Sequence, residues 1–560
     1  MAQWNRRDFL NFSVLMAGAG VLNLFHLYAA ETDARVRADI ERAALVATGD
    51  GEGVVATQSF SAGRPFDESI LERYFESFAA TDEELFTNTI SNAEAFDFMK
   101  GRMPLFECPD EDIERTYYFR WWTYRKHLKK RPEGWVVTEF LPTVVWAGAE
   151  NTISCAMGHH LREARWLKDD AILDDYTRFM MEKGNTTGPK SYVCWPAWAT
   201  LERVKVSGDA AFAKSMLGAF ARRFEICKKG WKLRGLHTAQ NPATGLFAMD
   251  PGHEGTEHAL SPKGARVMVN SAAWAEADAI ARIARMADDD GLAERFEREA
   301  AAIREAVVSR LWRDDLAFFT AVAPDGRHDA VRELHGYAPF YFRMPLGESF
   351  LDAWKPLTRE DGFYAPHGLA FPERSARGWK IDRKGHECKW NGPSWPYATS
   401  IALTALYEIL QSGDAPHAPV SAEDFAALVK QYAAAHVRKL GDGRTVPWID
   451  ENLDPLTGEW LARAILKTNP AKCNLFKGER GKDYNHSTFC DLVIAGLCGV
   501  VPHEDGRIDI KPLAPRDWDW WRLDGVRYHG RILTITFDRH GTRYGRGKGI
   551  SITVKEEGTL

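Results

Sequence analysis

The stretch WIDENLDPLTGEW, from Trp448 to Trp460, sets how the rest of the chain is read. Pro455 lacks a backbone donor and Gly458 favours turn conformations, so the stretch is a loop rather than a helix or strand. Just before it, Ser421-Ala422-Glu423-Asp424 resembles a capping box with Asp in the Glu/Gln position. It opens a helix with Phe425, Leu428, Val429, Tyr432 and Val437 on its apolar side. The same alternation of helix and loop recurs upstream. Leu292, Phe296, Ala300, Ile303, Val307 and Leu311 line one helical face, and Met268 to Met286 and Ala402 to Leu410 read similarly. Between such helices lie long segments rich in Gly, Pro, Trp, His and acids: 245–264, 332–342, 364–374, 388–400, 448–460 and 479–491. Compact domains rarely keep loops of this length without a use for them. Helical pairs alternating with such loops predict a mostly α toroid whose loops converge at one mouth.

After Val500 the pattern changes. Arg507 to Pro512, Leu533 to Asp538 and Ile550 to Val554 alternate apolar and polar residues, as antiparallel strands do. This predicts a small β domain over 501–560, packed on the helical body because it is too short for a large core of its own. Residues 31–110 read as a helical lead-in, with apolar residues at helical spacing in Ala34 to Val46 and Phe66 to Ala79. The main helical body spans 111–500, and extended patterns are scarce before residue 500.

The chain has 560 residues, 45% of them hydrophobic, enough for a large core. Net charge is −6 with acids and bases interspersed, which gives no nucleic-acid footprint. The eight cysteines include no CxxC pair, so a zinc site or disulfide framework is poorly supported. Asn5-Arg6-Arg7-Asp8-Phe9-Leu10 resembles a twin-arginine export signal, and the apolar run from Phe12 to Tyr28 follows it. Residues 1–30 are therefore expected to be a signal peptide, with the mature protein periplasmic or secreted, or anchored by an uncleaved N-terminus. No other stretch is long and apolar enough to cross a bilayer. Oligomeric state leaves no mark in the pattern.

Twenty Trp and sixteen Tyr is a heavy aromatic load, and many of the Trp sit in polar loops. Indole faces cover the apolar faces of a pyranose, and carboxylates move protons at a glycosidic oxygen or on water. The 448–460 loop offers Asp450, Glu451, Asp454 and Glu459 between two Trp, which suits a carbohydrate cleft. Tyr117, Phe119, Trp121, Trp122 and Tyr124, interleaved with Arg115, Arg120 and Arg125, read either as a sugar-binding wall or as an aromatic-rich buried helix. His159 and His160 are adjacent and point about 100° apart on a helix, a poor chelating pair.

The ordered set RELHGYAPFYF, KWNGPSWPYATS, WIDENLDPLTGEW and DYNHSTFCDLVIAGLCGV, followed by the β tail, resembles the mannosylglycerate-hydrolase-like glycoside hydrolases, relatives of glycoside hydrolase family 63 within the six-hairpin glycosidases. The likeness spans roughly 110–560. It implies an (α/α)6 barrel, an inverting mechanism, a carbohydrate substrate and no redox or organic cofactor. It matches Glu451 to the general base. It matches Glu257, in the loop HEGTEHALS, to the general acid, with Glu254 and Asp250 as rivals because Thr256 and the spacing to Ser261 depart from the pattern. Trp390, Asn391, Trp395, Arg332, His335, Trp448, Tyr484 and His486 are the candidate sugar-holding residues. No metal site is expected; the loop carboxylates leave room for a structural calcium, without EF-hand spacing. Two alternatives remain: a polysaccharide lyase using Tyr484, His486 and Arg480, and a glycan-binding protein without turnover.

Overall fold

The computed structural model describes residues 46–47, 54–55 and 68–556, apart from 189–190, 234–235, 472 and 474–476. The export signal and the helix expected over Ala34 to Val46 fall outside the described residues, save for the strand residue Val46.

Glu111–Lys126 starts where Asp110 accepts the N–H groups of Asp112 and Ile113, and it is buried along almost its whole length. Its aromatics are therefore core and not a sugar wall; Arg125 stacks on Trp122 at 4.2 Å. Asp290–Leu311 is capped by Asp289 and buries Phe296, Ala300, Ile303, Val307 and Leu311 at steps of three and four. Ala422–Ala434 opens on the expected capping box, with both halves formed by Ser421 and Asp424.

One succession of helices organises the body. Met157–Ala164 packs on Pro196–Ser207, which packs on Val267–Met286; then come Ala338–Tyr341, Pro396–Leu410 and the wide π-type turn Leu492–Leu497. The last returns to the first through Glu163, whose carboxylate accepts the N–H groups of Phe489, Cys490 and Asp491 at 2.8–2.9 Å. Arg162 and Arg165 bind Asp491 at the same junction. Ala211–Lys229, Asp290–Leu311 and Ala422–Ala434 flank this succession, and Glu111–Lys126 packs on the last of them.

Short β ribbons stand at the bases of loops that the sequence left unstructured. Ala248–Met249 pairs with Gly264–Ala265, so the segment between them is a hairpin excursion. Val437–Lys439 pairs with Thr445–Pro447 ahead of the 448–460 loop. Ribbons of two to four residues are too short to show a period-two pattern. The C-terminal sheet orders Gly549–Glu556, Arg531–Asp538, Trp520–Tyr528 and Leu105–Glu107. Its edge strand, Leu105–Glu107, comes from the lead-in and ties that segment to the terminal domain. Among the described residues no helix is long and apolar enough to cross a membrane. All eight cysteines are free thiols.

Candidate active site

The loop carrying Glu257 is built from a short helical turn and an arginine staple. Asp250 caps Pro251–Glu254 through Gly252 N–H at 3.0 Å, Pro251 fills the first helical position, and Gly255 closes the turn at φ +83°. Arg266 then binds Glu254 at 2.7 Å, the carbonyls of Ser261 and Pro262 at 3.0 Å each, and the Thr256 hydroxyl at 3.2 Å. His335 reaches Glu254 at 3.5 Å. Although burial alone would raise it, Arg266 and His335 hold the Glu254 carboxyl down at about 2. Both rivals for the acid role are thereby committed elsewhere: Asp250 is a helix cap and Glu254 an ion-pair partner.

Glu257 stands beyond this staple. Cys388 donates its S–H to Glu257 Oε2 at 3.1 Å, and Trp390 N–H donates to the Glu257 carbonyl at 3.0 Å. Burial pushes the Glu257 carboxyl up, and the charge of Glu451 adds to the push. These two acids, far apart in sequence, thus share one electrostatic environment.

Glu451 is buried and clamped. Arg480 donates through Nε at 3.1 Å and Nη2 at 2.5 Å, both to Glu451 Oε1, while its Nη1 takes Glu387 at 2.5 Å. Both Arg480 bonds to Glu451 fall on Oε1 and not on Oε2. The neighbouring Asp450 accepts Glu451 N–H at 2.8 Å, and burial with the Glu451 charge pushes Asp450 up to about 7. Asp454 and Glu459 face away from this cluster: both pair with Arg383. Asp454 also shapes the turn by accepting Leu456 N–H. The 388–400 and 448–460 loops are locked by two bonds, Ser394 N–H to Leu453 O at 2.9 Å and its reciprocal at 3.0 Å.

A third acid joins the pair, one the sequence analysis does not single out. Glu139 is buried beside both Glu451 and Glu257; burial pushes it up to about 8, and both neighbouring charges add to this. Trp146, 42% exposed, donates its indole N–H to Glu139 at 2.9 Å and lies 5.6 Å from the Arg480 guanidinium. Asn151 holds this loop through the carbonyls of Phe140 and Pro142 and the N–H of Val144.

The aromatic candidates divide. Trp390 and Trp395 stack at 4.0 Å and 5°, with His335 and Phe371 against Trp390. Tyr484 and His486 pack on each other and on Phe140, next to Glu139. Burial lowers His486 to about 3, so it is neutral at physiological pH. The buried Trp390 indole N–H, Asn391 carbonyl oxygen, His335 Nε2 and His486 Nε2 make no hydrogen bond among the described residues. Buried polar atoms without protein partners are uncommon, and a polar ligand would satisfy them. Two candidates are corrected. Arg332 is committed to Glu373 at 2.7 Å and to the Leu316 carbonyl. The Trp448 ring is packed by Arg438 at 3.8 Å, Lys482 at 5.3 Å and Arg463 at 5.5 Å, a cationic surround and not an open sugar face. Cys388, Glu387 and Glu139 join the candidate site although the sequence analysis named none of them as candidates; only Cys388 lay in a segment it had marked. Among the described residues no group of three or more His, Cys, Asp or Glu side chains is arranged to hold a metal ion.

Comparison with known proteins gives the family. The family model described as the mannosylglycerate hydrolase MGH1-like glycoside hydrolase domain matches residues 149–487, and the C-terminal domain of glycosyl hydrolase family 65 matches residues 502–559. A solved structure titled "Sialidase" is 33% identical with a TM-score of 0.78, covering 90% of this chain and 44% of that one. The chain thus spans less than half the length of that structure. The mannosylglycerate hydrolase of glycoside hydrolase family 63 from Thermus thermophilus, in complex with Tris and D-glycerate, is 13% identical with a TM-score of 0.35, covering 76% of this chain and 99% of that one. That likeness is too low to bear on the chemistry here.

Proposed function

Because the chain belongs to the mannosylglycerate hydrolase MGH1-like glycoside hydrolase family, we propose that it hydrolyses a glycosidic bond of an oligosaccharide or small glycoside with inversion, on an (α/α)6 toroid. Glu257 is the general acid and Glu451 the general base. The observation that carries this reading is the contrast between the two carboxyls. Glu257 is biased toward its protonated form by burial and by the charge of Glu451, while Glu451 is clamped on one oxygen by Arg480. Opposed protonation of two carboxyls is what an acid and base pair requires.

In the reaction, Glu257 gives its proton to the glycosidic oxygen as the bond from that oxygen to the anomeric carbon breaks. Water adds to the anomeric carbon from the opposite face, and Glu451 Oε2, the oxygen not engaged by Arg480, takes the water proton. Inverting enzymes hold the two carboxyls roughly 6.5–9.5 Å apart to admit that water. The Trp390–Trp395 stack walls the sugar, and His335, Asn391 and His486 offer their unpartnered polar atoms to its hydroxyls. The lyase reading loses support because Arg480, its candidate uronate-neutralising cation, already serves two carboxylates, and because burial raises Tyr484 and so leaves little of it as the phenolate a lyase base needs. The same proposal includes export through the twin-arginine signal at Arg6-Arg7, to a periplasmic or secreted site of action.

The test is a hydrolysis screen over neutral and acidic glycans, with the product anomer followed by NMR, on wild type, Glu257→Gln and Glu451→Gln. Turnover with inversion in wild type and its loss in both variants is expected. Binding without turnover, or an unsaturated ultraviolet-absorbing product, would overturn the hydrolytic reading.

A further inference from the structure

Glu257 has one unusual neighbour. Its Oε2 receives a thiol, Cys388 S–H, at 3.1 Å, where a hydroxyl, amide or arginine would be a more familiar donor. The same segment grips the backbone of Glu257 two residues on, through Trp390 N–H at 3.0 Å. Cys388 is itself fixed, its N–H held by His386 Nδ1 at 3.1 Å. Two independent bonds from 388–390 thus set both the position and the rotamer of the Glu257 carboxyl.

We propose that Cys388 is a positioning residue for the general acid: its S–H occupies Glu257 Oε2 and leaves Oε1 to deliver the proton to the leaving oxygen. This rests on the acid role assigned to Glu257 above. The choice of sulfur has a physical meaning. A general acid has to keep its proton until the glycosidic bond breaks, so a strong donor to its carboxylate would work against it. A thiol is a weak donor. It orients the carboxyl and favours the carboxylate formed after transfer, but burial outweighs it and the acid stays raised, whereas Arg266 holds Glu254 down. Burial and the nearby Glu257 and Glu451 charges push the thiol well above its ordinary range, so it stays protonated and able to donate across the working pH range. No electron or group is transferred to the sulfur. At this carboxyl the proton that moves goes from Glu257 Oε1 to the leaving oxygen.

The test is the pH profile of kcat/KM for Cys388→Ala and Cys388→Ser against wild type. The substrate is a disaccharide that wild type cleaves, with an unactivated alcohol leaving group, followed by released reducing sugar. The alkaline limb reports the acid. Removing the donor is expected to move that limb up by about half a pH unit, and the stronger hydroxyl donor to move it down by a similar amount, giving the order Ala, wild type, Ser. kcat should fall about tenfold in Cys388→Ala, and much less for a 4-nitrophenyl glycoside, whose leaving group needs little protonation. Thermal melting of each variant separates these effects from misfolding. An alkaline limb at the same pH in all three proteins, or shifts in the same direction for Ala and Ser, would overturn the proposal while leaving Glu257 as the acid. If wild type cleaves no disaccharide, or Glu257→Gln keeps its turnover, the parent reading fails instead.

Discussion

Replacing Glu139 by Gln probes the electrostatics of the site without removing a hydrogen bond, because Gln still offers an oxygen to the Trp146 indole. The wild-type carboxyl is raised from 4.5 to about 8, first by burial and then by the charges of Glu451 and Glu257, against the lowering pull of Trp146 and Arg480. An acid raised on folding holds its proton more tightly in the native state. Below about pH 4.5 it is protonated in both states and its contribution to stability is intact. As pH rises from 4.5 toward 8 the unfolded chain loses the proton first, so the native state loses stability; above 8 the loss is complete. At roughly 1.4 kcal/mol per pH unit the loss is at most about 5 kcal/mol, and water entry and relaxation cut this to about 2–3 kcal/mol. Gln mimics the protonated form and escapes the loss. Glu139→Gln should therefore melt with wild type at pH 4.5–5 and about 2 °C above it at pH 9, given the melting entropy of a chain this long. Differential scanning fluorimetry across pH 4.5–9 reads the difference directly. A melting difference that does not change with pH, or a variant less stable than wild type at pH 9, would show that folding does not raise the Glu139 carboxyl and would refute this account.

The other expected outcomes concern the residues around the acid pair. Glu257→Gln should lower kcat about 10²–10⁴-fold on disaccharides and far less on 4-nitrophenyl glycosides, a leaving-group dependence read from paired substrates. Glu254→Gln, which breaks the buried pair with Arg266, should cost about 3 kcal/mol near neutral pH. Because Glu254 is lowered to about 2, its contribution is present above about 4.5 and lost as pH falls toward 2, so the variant should also flatten the acid side of the stability profile in urea melts. Arg480→Met leaves Glu451 and Glu387 buried without their cation; turnover should be abolished, with the melting temperature falling by several degrees for a cost of about 3–5 kcal/mol. Gly481→Ala would put a Cβ 1.9 Å from Asp450 Oδ1 and 3.1 Å from Glu451 Cγ. It should displace the base and reduce kcat about 10–100-fold, measured as kcat against KM on one substrate.

What was legible beforehand follows from the range of each signal. Helix faces and caps are local, so the Ser421 capping box and the apolar stripe ending at Leu311 appear where the pattern put them. Loops betray themselves by Gly, Pro and Trp, so the segments holding Glu257, Trp390, Glu451 and Tyr484 stood out in the sequence. Which charge meets which is not local. Arg332 looked available until Glu373 took it, and Asp454 and Glu459 looked like site acids until Arg383 paired with both. Glu139 was invisible for the converse reason: nothing about an acid before Phe140-Leu141-Pro142 says that it will be buried among other carboxyls.

The same distinction explains how this fold divides its tasks. Helix-to-helix closure runs through Glu163, Arg162, Arg165 and Asp491, a buried set with its own hydrogen bonds. The candidate carboxyls are held by bonds between loops: Cys388 to Glu257, Ser394 to Leu453, and Arg480 to both Glu451 and Glu387. Two groups of contacts without a shared residue should respond independently to mutation. Substitutions in the loops can then change which glycoside fits, or how the acid and base are tuned, while the ring of helices keeps its stability. That separation suits a scaffold whose loops vary while its helices do not, and it accounts for why the helices were readable from periodicity alone while the pairing of charges between loops was not.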